Sequence, residues 1–281
     1  MLFVMLVRDS LKESCFDAEL AGLQYAISLD ARGLLILTSG YTEKLPEILK
    51  QVVVTMRGIN IQAERFQVIH DRLTRFYENS FYQSPRVQIG THLAWLNNQC
   101  YYSNEEKAAE LEHATADAVR LFQKQILSQL HITVFAHGNV SRGDALMLTD
   151  MVESALKPRL LPQSQLPIIR SLLLPRGCNY VLKKRLKDPQ NANHYMRSFS
   201  TTSGLRFLIQ SKKNPMYLDR RIEAFLVQFG KKLENMTDSD FESQKRSLII
   251  TCLEKLRDLD EESVRHWRQI HSESYDFELG K

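Results

Sequence analysis

Residues 21–56 read AGLQYAISLDARGLLILTSGYTEKLPEILKQVVVTM, and a change of period inside this stretch decides the fold class. Leu23, Tyr25, Ile27 and Leu29 alternate with Gly22, Gln24, Ala26 and Ser28, which is the two-residue period of a half-buried strand. After DARG, where Gly33 supplies the positive φ that a short hairpin connection often needs, LLILTSGY reads as a second strand. From Thr42 the period becomes helical, with Leu45, Leu49, Val52 and Met56 on one stripe. Phe66, Ile69, Leu73 and Phe76 predict another helix, and Leu111, Ala118, Phe122 and Ile126 the inward face of a third across residues 104–128. A strand hairpin followed by helices that cover it is an α+β arrangement.

The unit closes with QLHITVFAHGNVSRGDALMLTDMVESAL at 129–156. Ile132, Val134 and Ala136 alternate against Thr133 and Phe135, which predicts a strand. Ser141 with Asp144 reads as a capping-box-like helix start, and Ala145, Leu148, Val152 and Ala155 as the inward stripe of that helix. KPRLLPQSQLP then places three prolines in eleven residues, which neither a helix nor a central strand tolerates, so a domain boundary is expected within residues 157–167.

Beyond the boundary the order repeats. GLRFLIQSKKNPMYLDRRIEAFLVQF (204–229) follows the pattern of residues 33–56, with Leu218, Ile222, Leu226 and Phe229 as the helical stripe. The next helix starts also correspond, IQAERFQ (61–67) with MTDSDFE (236–242). Two related α+β domains, 1–158 and 167–281, are therefore expected. The second is expected to be incomplete, because LKDPQNANHYMRSFSTTS shows neither alternation nor a stripe where a hairpin partner should stand. The first opens directly on an apolar helix-like run, as though its beginning were missing.

The composition is that of an ordinary globular chain, 43% hydrophobic and 25% charged over 281 residues, and a net charge of +4 is too small for a nucleic-acid footprint. MLFVMLVRDSLKES matches neither a secretory signal nor a membrane span, so an intracellular chain with no membrane partner is expected. Cys15, Cys100, Cys178 and Cys252 lie far apart without a C-x-x-C pair and are read as buried, reduced thiols.

The segments MLFVMLVRDSLKESCFDAELAGLQY, LHITVFAHGNVS and GLRFLIQSKKNPMYLDRRIEAFL resemble the C-terminal half of the insulinase or pitrilysin family of zinc metalloendopeptidases, with its fungal pheromone-processing members nearest in pattern. The resemblance covers residues 1–185 and 204–277, and DAELAGL followed by HGN is its specific part. It implies four homologous α+β domains, two per half, closing around unfolded peptides. This chain would then hold a third domain truncated at its N-terminus and a partial fourth, each a mainly antiparallel sheet packed with helices.

In that family zinc sits in the first domain on H-x-x-E-H, and none of the eight histidines here stands in that motif or in H-E-x-x-H. His131 and His137 flank the expected strand about 20 Å apart at ordinary strand rise. His266 and His271 lie about 140° apart around a helix. No catalytic and no metal-binding residue is therefore expected, and zinc belongs to the full enzyme. The segment R-T-x-E-Q-L-G-Y, through which the fourth domain of the family reaches substrate, is absent. It would lie at 193–204, the same place as the missing hairpin partner, and an exon missed there would be one explanation. The family's binding of polyanions through basic residues of this half implies Lys255 and Arg257 in LEKLRDLDEES as anion contacts.

AHGNVSRGD is weighed as a phosphate cradle, but it lacks the glycines and lysine of one, and Asp144 already supplies negative charge to the helix start. KKRLK (183–187) lacks the interleaved aromatics of a nucleic-acid surface. Trp95 and Trp267 are expected to pack in a core or an interface, and no G-x-S-x-G elbow is present. The expectation is a cytoplasmic fragment of an insulinase-type metalloendopeptidase, inactive alone. Its expected partners are peptide substrates, the N-terminal catalytic half and a homo-oligomer, and the alternative is a stand-alone protein that binds peptides or pairs with a half-enzyme.

Overall fold

The computed structural model describes residues 1–278 apart from Ala31, Ile169, Ser171, Lys212 and the stretches 173–193 and 199–205. In chain order the elements are α1 (Leu2–Ser14), α2 (Phe16–Leu20), β1 (Gln24–Leu29), β2 (Leu34–Ser39), α3 (Leu45–Gly58), α4 (Ala63–Ser80), α5 (Pro85–Asn97), α6 (Asn104–Glu112), α7 (Ala116–Ile126) and β3 (Gln129–Leu130). They continue with α8 (Arg142–Leu156), β4 (Arg159–Leu160), β5 (His194–Ser198), β6 (Arg206–Gln210), α9 (Pro215–Glu234), α10 (Asp238–Cys252) and α11 (Leu259–His271). This is a helix-rich α+β chain with small sheets, divided into one compact unit of Met1–Ile132 with Leu146–Leu218 and another of Thr133–Ala145 with Asp219–Lys281.

The core of the first unit is built on α1. Its residues Leu2, Phe3, Val4, Leu6, Val7 and Leu11 are all buried, and they pack with Ile48, Val52, Val53 and Met56 of α3, Phe66, Ile69, Leu73 and Tyr77 of α4, and Ile27 of β1. Each such side chain contributes about 1.5–3 kcal/mol on burial, so α1 is held by its apolar face rather than by capping. The register of β1 on β2 sets Ile27 opposite Ile36 and Leu29 opposite Leu34 in an antiparallel pair. In the turn between them the N–H groups of Arg32 and Gly33 both donate to the Asp30 carboxylate, and Gly33 takes the expected positive φ of 143°.

The DAELAGL segment has a physical reason for its glycine. At the end of α2 the Leu23 N–H reaches the Ala18 carbonyl and the Gly22 N–H the Glu19 carbonyl, both at 3.0 Å, with Gly22 at φ 88°. That is a Schellman ending, which satisfies the orphan carbonyls of a short helix and turns the chain into β1. At the far end of α3 the carbonyls of Met56 and Arg57 accept from the side-chain amide of Gln123 at 3.3 and 2.7 Å, which explains a glutamine buried at 8% exposure on α7.

Several expectations shift by one residue or one break. Tyr77, not Phe76, completes the α4 stripe, and Phe76 is 51% exposed. The helix expected over 104–128 is two, because the Thr115 hydroxyl accepts from the Ala118 N–H and starts α7 afresh. After that restart Val119, Gln123 and Leu127 point inward, while Ala118 and Phe122 are exposed. Residues 132–136, expected as a strand, are irregular, and pairing stops before them at β3, two residues that run parallel with β4. Past it no strand among the described residues takes up the backbone; Ile132 is half-buried as expected, but Phe135 and His137 are half-buried while Val134 and Ala136 face out, the reverse of the expected faces.

The hairpin partner expected to be missing is present: β5 pairs antiparallel with β6, His194 opposite Gln210 and Ser198 opposite Arg206. Five residues are too few for alternation to be read, and the pairing is made by backbone groups that sequence pattern does not report. The rest of the expected gap, and KKRLK with Cys178, lie outside the described residues. On α9, Leu218 and Ile222 are buried and Leu226 half-buried as expected, but Phe229 is 42% exposed. Among the described cysteines Cys15 is a buried thiol, whereas Cys100 and Cys252 are exposed.

Candidate functional site

In the unit of Thr133–Ala145 and Asp219–Lys281, titratable side chains converge on α11. That helix starts at Asp258, whose carboxylate accepts from the Glu261 N–H at 2.8 Å, and the Glu261 carboxylate in turn accepts from the Arg257 N–H at 2.9 Å. The first turn is therefore pinned at both ends, and the 3.6-residue period lines Leu259, Glu262, Ser263, His266 and Trp267 along one face. Glu262 and His266 are one turn apart, with the carboxylate oxygen 3.7 Å from His266 Nε2.

His137 meets this face from the segment before α8. Its Nε2 lies 3.7 Å from the same oxygen of Glu262, and its Nδ1 is hydrogen-bonded to the Ser263 hydroxyl at 2.7 Å. The two imidazole rings stand 5.6 Å apart, Phe135 stacks on His137 at 5.8 Å, and Trp267 and Phe277 flank Phe135 and His266 respectively. Gly138 follows at φ 112°, and a Cβ there would come 3.1 Å from the Leu259 side chain, so the glycine of HGN lets the chain pass close over α11. One ligand atom from each of His137, Glu262 and His266 lies within 4.8 Å of the others.

The start of α8 is capped as the sequence predicts. The Asp144 N–H donates to Ser141 Oγ at 3.2 Å, and the Asp144 carboxylate accepts from the Ser141 hydroxyl at 2.7 Å and from its N–H at 3.1 Å. Those two bonds, the hydroxyl's first, hold the Asp144 carboxyl below the ordinary aspartate range. Ser141 and Asp144 thus satisfy each other's backbone N–H groups, the reciprocal pattern of a capping box. Lys255 and Arg257 sit exposed in the connector before α11, beside the carboxylates of Asp258, Asp260, Glu261 and Glu262.

The sequence pairs of short spacing were His131 with His137 and His266 with His271, and the fold brings one member of each together, His137 with His266. The Glu262–His266 spacing was the only local signal; the third member lies 125 residues away from Glu262 and no pattern announces it. The motif that holds the catalytic zinc of the resembled family, H-x-x-E-H, occurs nowhere in the 281 residues. Trp267 packs against Phe135 as expected, whereas Trp95 is 37% exposed and lines an open hollow with Tyr101, Tyr102 and Arg170.

Comparison with known proteins agrees with this architecture. Residues 1–110 match the family described as "Middle or third domain of peptidase_M16", and residues 192–267 match "PQQ synthase PqqF-like, C-terminal lobe domain 4". Human insulin-degrading enzyme is 30% identical over 99% of this chain and 32% of its own length, and the A-factor-processing enzyme of Saccharomyces cerevisiae is 27% identical over 98% of this chain and 32% of its own. The chain thus spans about a third of the length of the curated relatives it matches. The crystal structure of pitrilysin superposes with a TM-score of 0.77 at 15% identity, covering 99% of this chain and 34% of that one. The homologues of this chain are therefore insulin-degrading enzyme and related insulinase-family proteins, along 99% of its length and with the pitrilysin fold.

Proposed function

We propose that these residues form the non-catalytic wall of the peptide-enclosing chamber in a cytoplasmic zinc metalloendopeptidase of the insulin-degrading type. Residues 1–158 supply third-domain sequence and 167–281 part of a fourth domain, one that lacks a segment resembling R-T-x-E-Q-L-G-Y. The observation that supports this most is the order of the two family matches, a third domain at 1–110 and a fourth at 192–267, in a chain without the zinc motif. In the whole enzyme the zinc supplies Lewis-acid activation of water on the other half. The residues here do different work: they confine a peptide and limit its size. Within the same proposal Lys255 and Arg257 are the polyanion contacts, weakened by the carboxylates beside them.

No helix among the described residues is long and apolar enough to cross a membrane. On α10 no residue is buried, and Phe241, Leu248 and Ile250 are more than half exposed. Apolar surface of this kind supports a role as one part of a larger assembly. The test mixes the purified chain with an N-terminal half of an insulin-degrading enzyme and follows a quenched fluorogenic peptide. The expected result is no zinc-dependent cleavage by the chain alone and cleavage restored by the mixture. Cleavage by the chain alone would overturn the reading, and peptide binding without restored cleavage would identify a stand-alone binding protein.

A further inference from the structure

We propose that His137, Glu262 and His266 bind a single divalent transition-metal ion of the zinc class, at a site unrelated to the H-x-x-E-H chemistry of the family. Two imidazoles and one carboxylate are the donor set that zinc, cobalt and nickel take, and a purely oxygen-seeking ion such as calcium does not. The geometry converges on one point: both Nε2 atoms face the same Glu262 oxygen, each at 3.7 Å, and the three donors lie within 4.8 Å of one another. Donors around a four-coordinate zinc stand about 3.3 Å apart, given ligand distances of about 2.0–2.1 Å, so small side-chain rotations close the site.

An ordinary ion pair explains the arrangement less well. At 3.7 Å neither imidazole is within hydrogen-bond reach of the carboxylate, although both are aimed at it. The supporting shell is also that of a metal ligand. Ser263 Oγ stands 2.7 Å from His137 Nδ1, and in the tautomer where Nδ1–H donates to that hydroxyl oxygen, Nε2 carries the lone pair toward the shared point. The imidazoles are largely screened, with 21% and 25% of their side chains exposed, while Glu262 at 46% leaves a side of the site open for a fourth, solvent-derived ligand. Phe135, stacked on His137 and 6.4 Å from His266, forms an apolar wall that lowers the local dielectric and strengthens binding of a cation to Glu262.

Such an ion ties the segment before α8 to α11 across more than a hundred residues of chain. The test strips the 281-residue chain with a chelator and titrates it with cobalt chloride, reading the visible d–d bands, then with zinc chloride in competition. One equivalent of cobalt should give tetrahedral-type bands that zinc bleaches, with a rise in Tm on zinc addition. His137→Ala, His266→Ala and Glu262→Gln should each weaken binding by more than ~100-fold, and Ser263→Ala by ~10-fold, the range for an outer-shell partner. His131→Ala should bind as the parent does. Circular dichroism melts show which variants fold, and Glu262→Gln, nearly isosteric, decides the matter if a histidine variant does not. Absence of saturable cobalt binding, or equal binding by folded ligand variants, overturns the proposal.

Discussion

Cys15 and Asp144 show how much a single residue's chemistry depends on what surrounds it. The Cys15 thiol, at the junction of α1 and α2, is 1% exposed, and burial raises its pKa above the ordinary cysteine value, while Cys100 and Cys252 lie at the surface. Because the thiolate is the reactive form, a disulfide reagent should label Cys100 and Cys252 in the native chain and reach Cys15 only after unfolding. Mass mapping of the labelled peptides checks this, and rapid labelling of native Cys15 would contradict the packing of α1. Nothing in the spacing of the cysteines separates these fates, since exposure is decided by neighbours that are remote in sequence. Ser141 and Asp144, in contrast, are legible together, because a cap is a local hydrogen-bond pattern three residues long.

At the scale of the element, that cap makes a pH-dependent contribution to α8. Hydrogen bonds from Ser141 depress the Asp144 pKa in the folded chain, so the stabilisation is complete above the unfolded aspartate pKa. It is lost as pH falls through the lowered folded value. Ser141→Ala removes both the hydroxyl bond and the acceptor for the Asp144 N–H. An NMR titration of the Asp144 carboxyl should then move up toward the ordinary aspartate range, and an unmoved titration would show that Ser141 is not the cause. Elsewhere the elements followed the period of the sequence where packing was one-sided, as in β1 through Ile27 and in α3. They departed at Thr115, which restarted α7, and at residues 133–137, which pair with no strand among the described residues.

At the scale of the whole molecule, α1 is the keystone of the first unit. Leu11 is fully buried among residues of that core, and Leu11→Ala should cost about 2–5 kcal/mol of that unit's stability, the range for a leucine truncation that leaves a cavity. Urea unfolding followed by far-ultraviolet circular dichroism measures it, and a loss below about 1 kcal/mol would mean that α1 is only loosely docked. The fold class and family were legible because they reside in long periodic runs and in short local motifs such as DAELAGL and HGN. The β5–β6 pair was not, because a five-residue strand is specified by its partner's backbone.

By itself the sequence determined the hairpin and helix order of residues 21–56, the Gly33 turn, the Ser141–Asp144 cap, the apolar stripe of α9 through Ile222, and the absence of H-x-x-E-H. Each of these rests on groups a few residues apart, where helical and strand periods and side-chain hydrogen bonds act. Only the tertiary structure decided that Tyr77 and not Phe76 is buried, that Gln123 ends α3, and that His137 stands over Glu262 and His266. Those outcomes depend on which surfaces meet after the chain has folded back, and a contact across a hundred residues leaves no period to read.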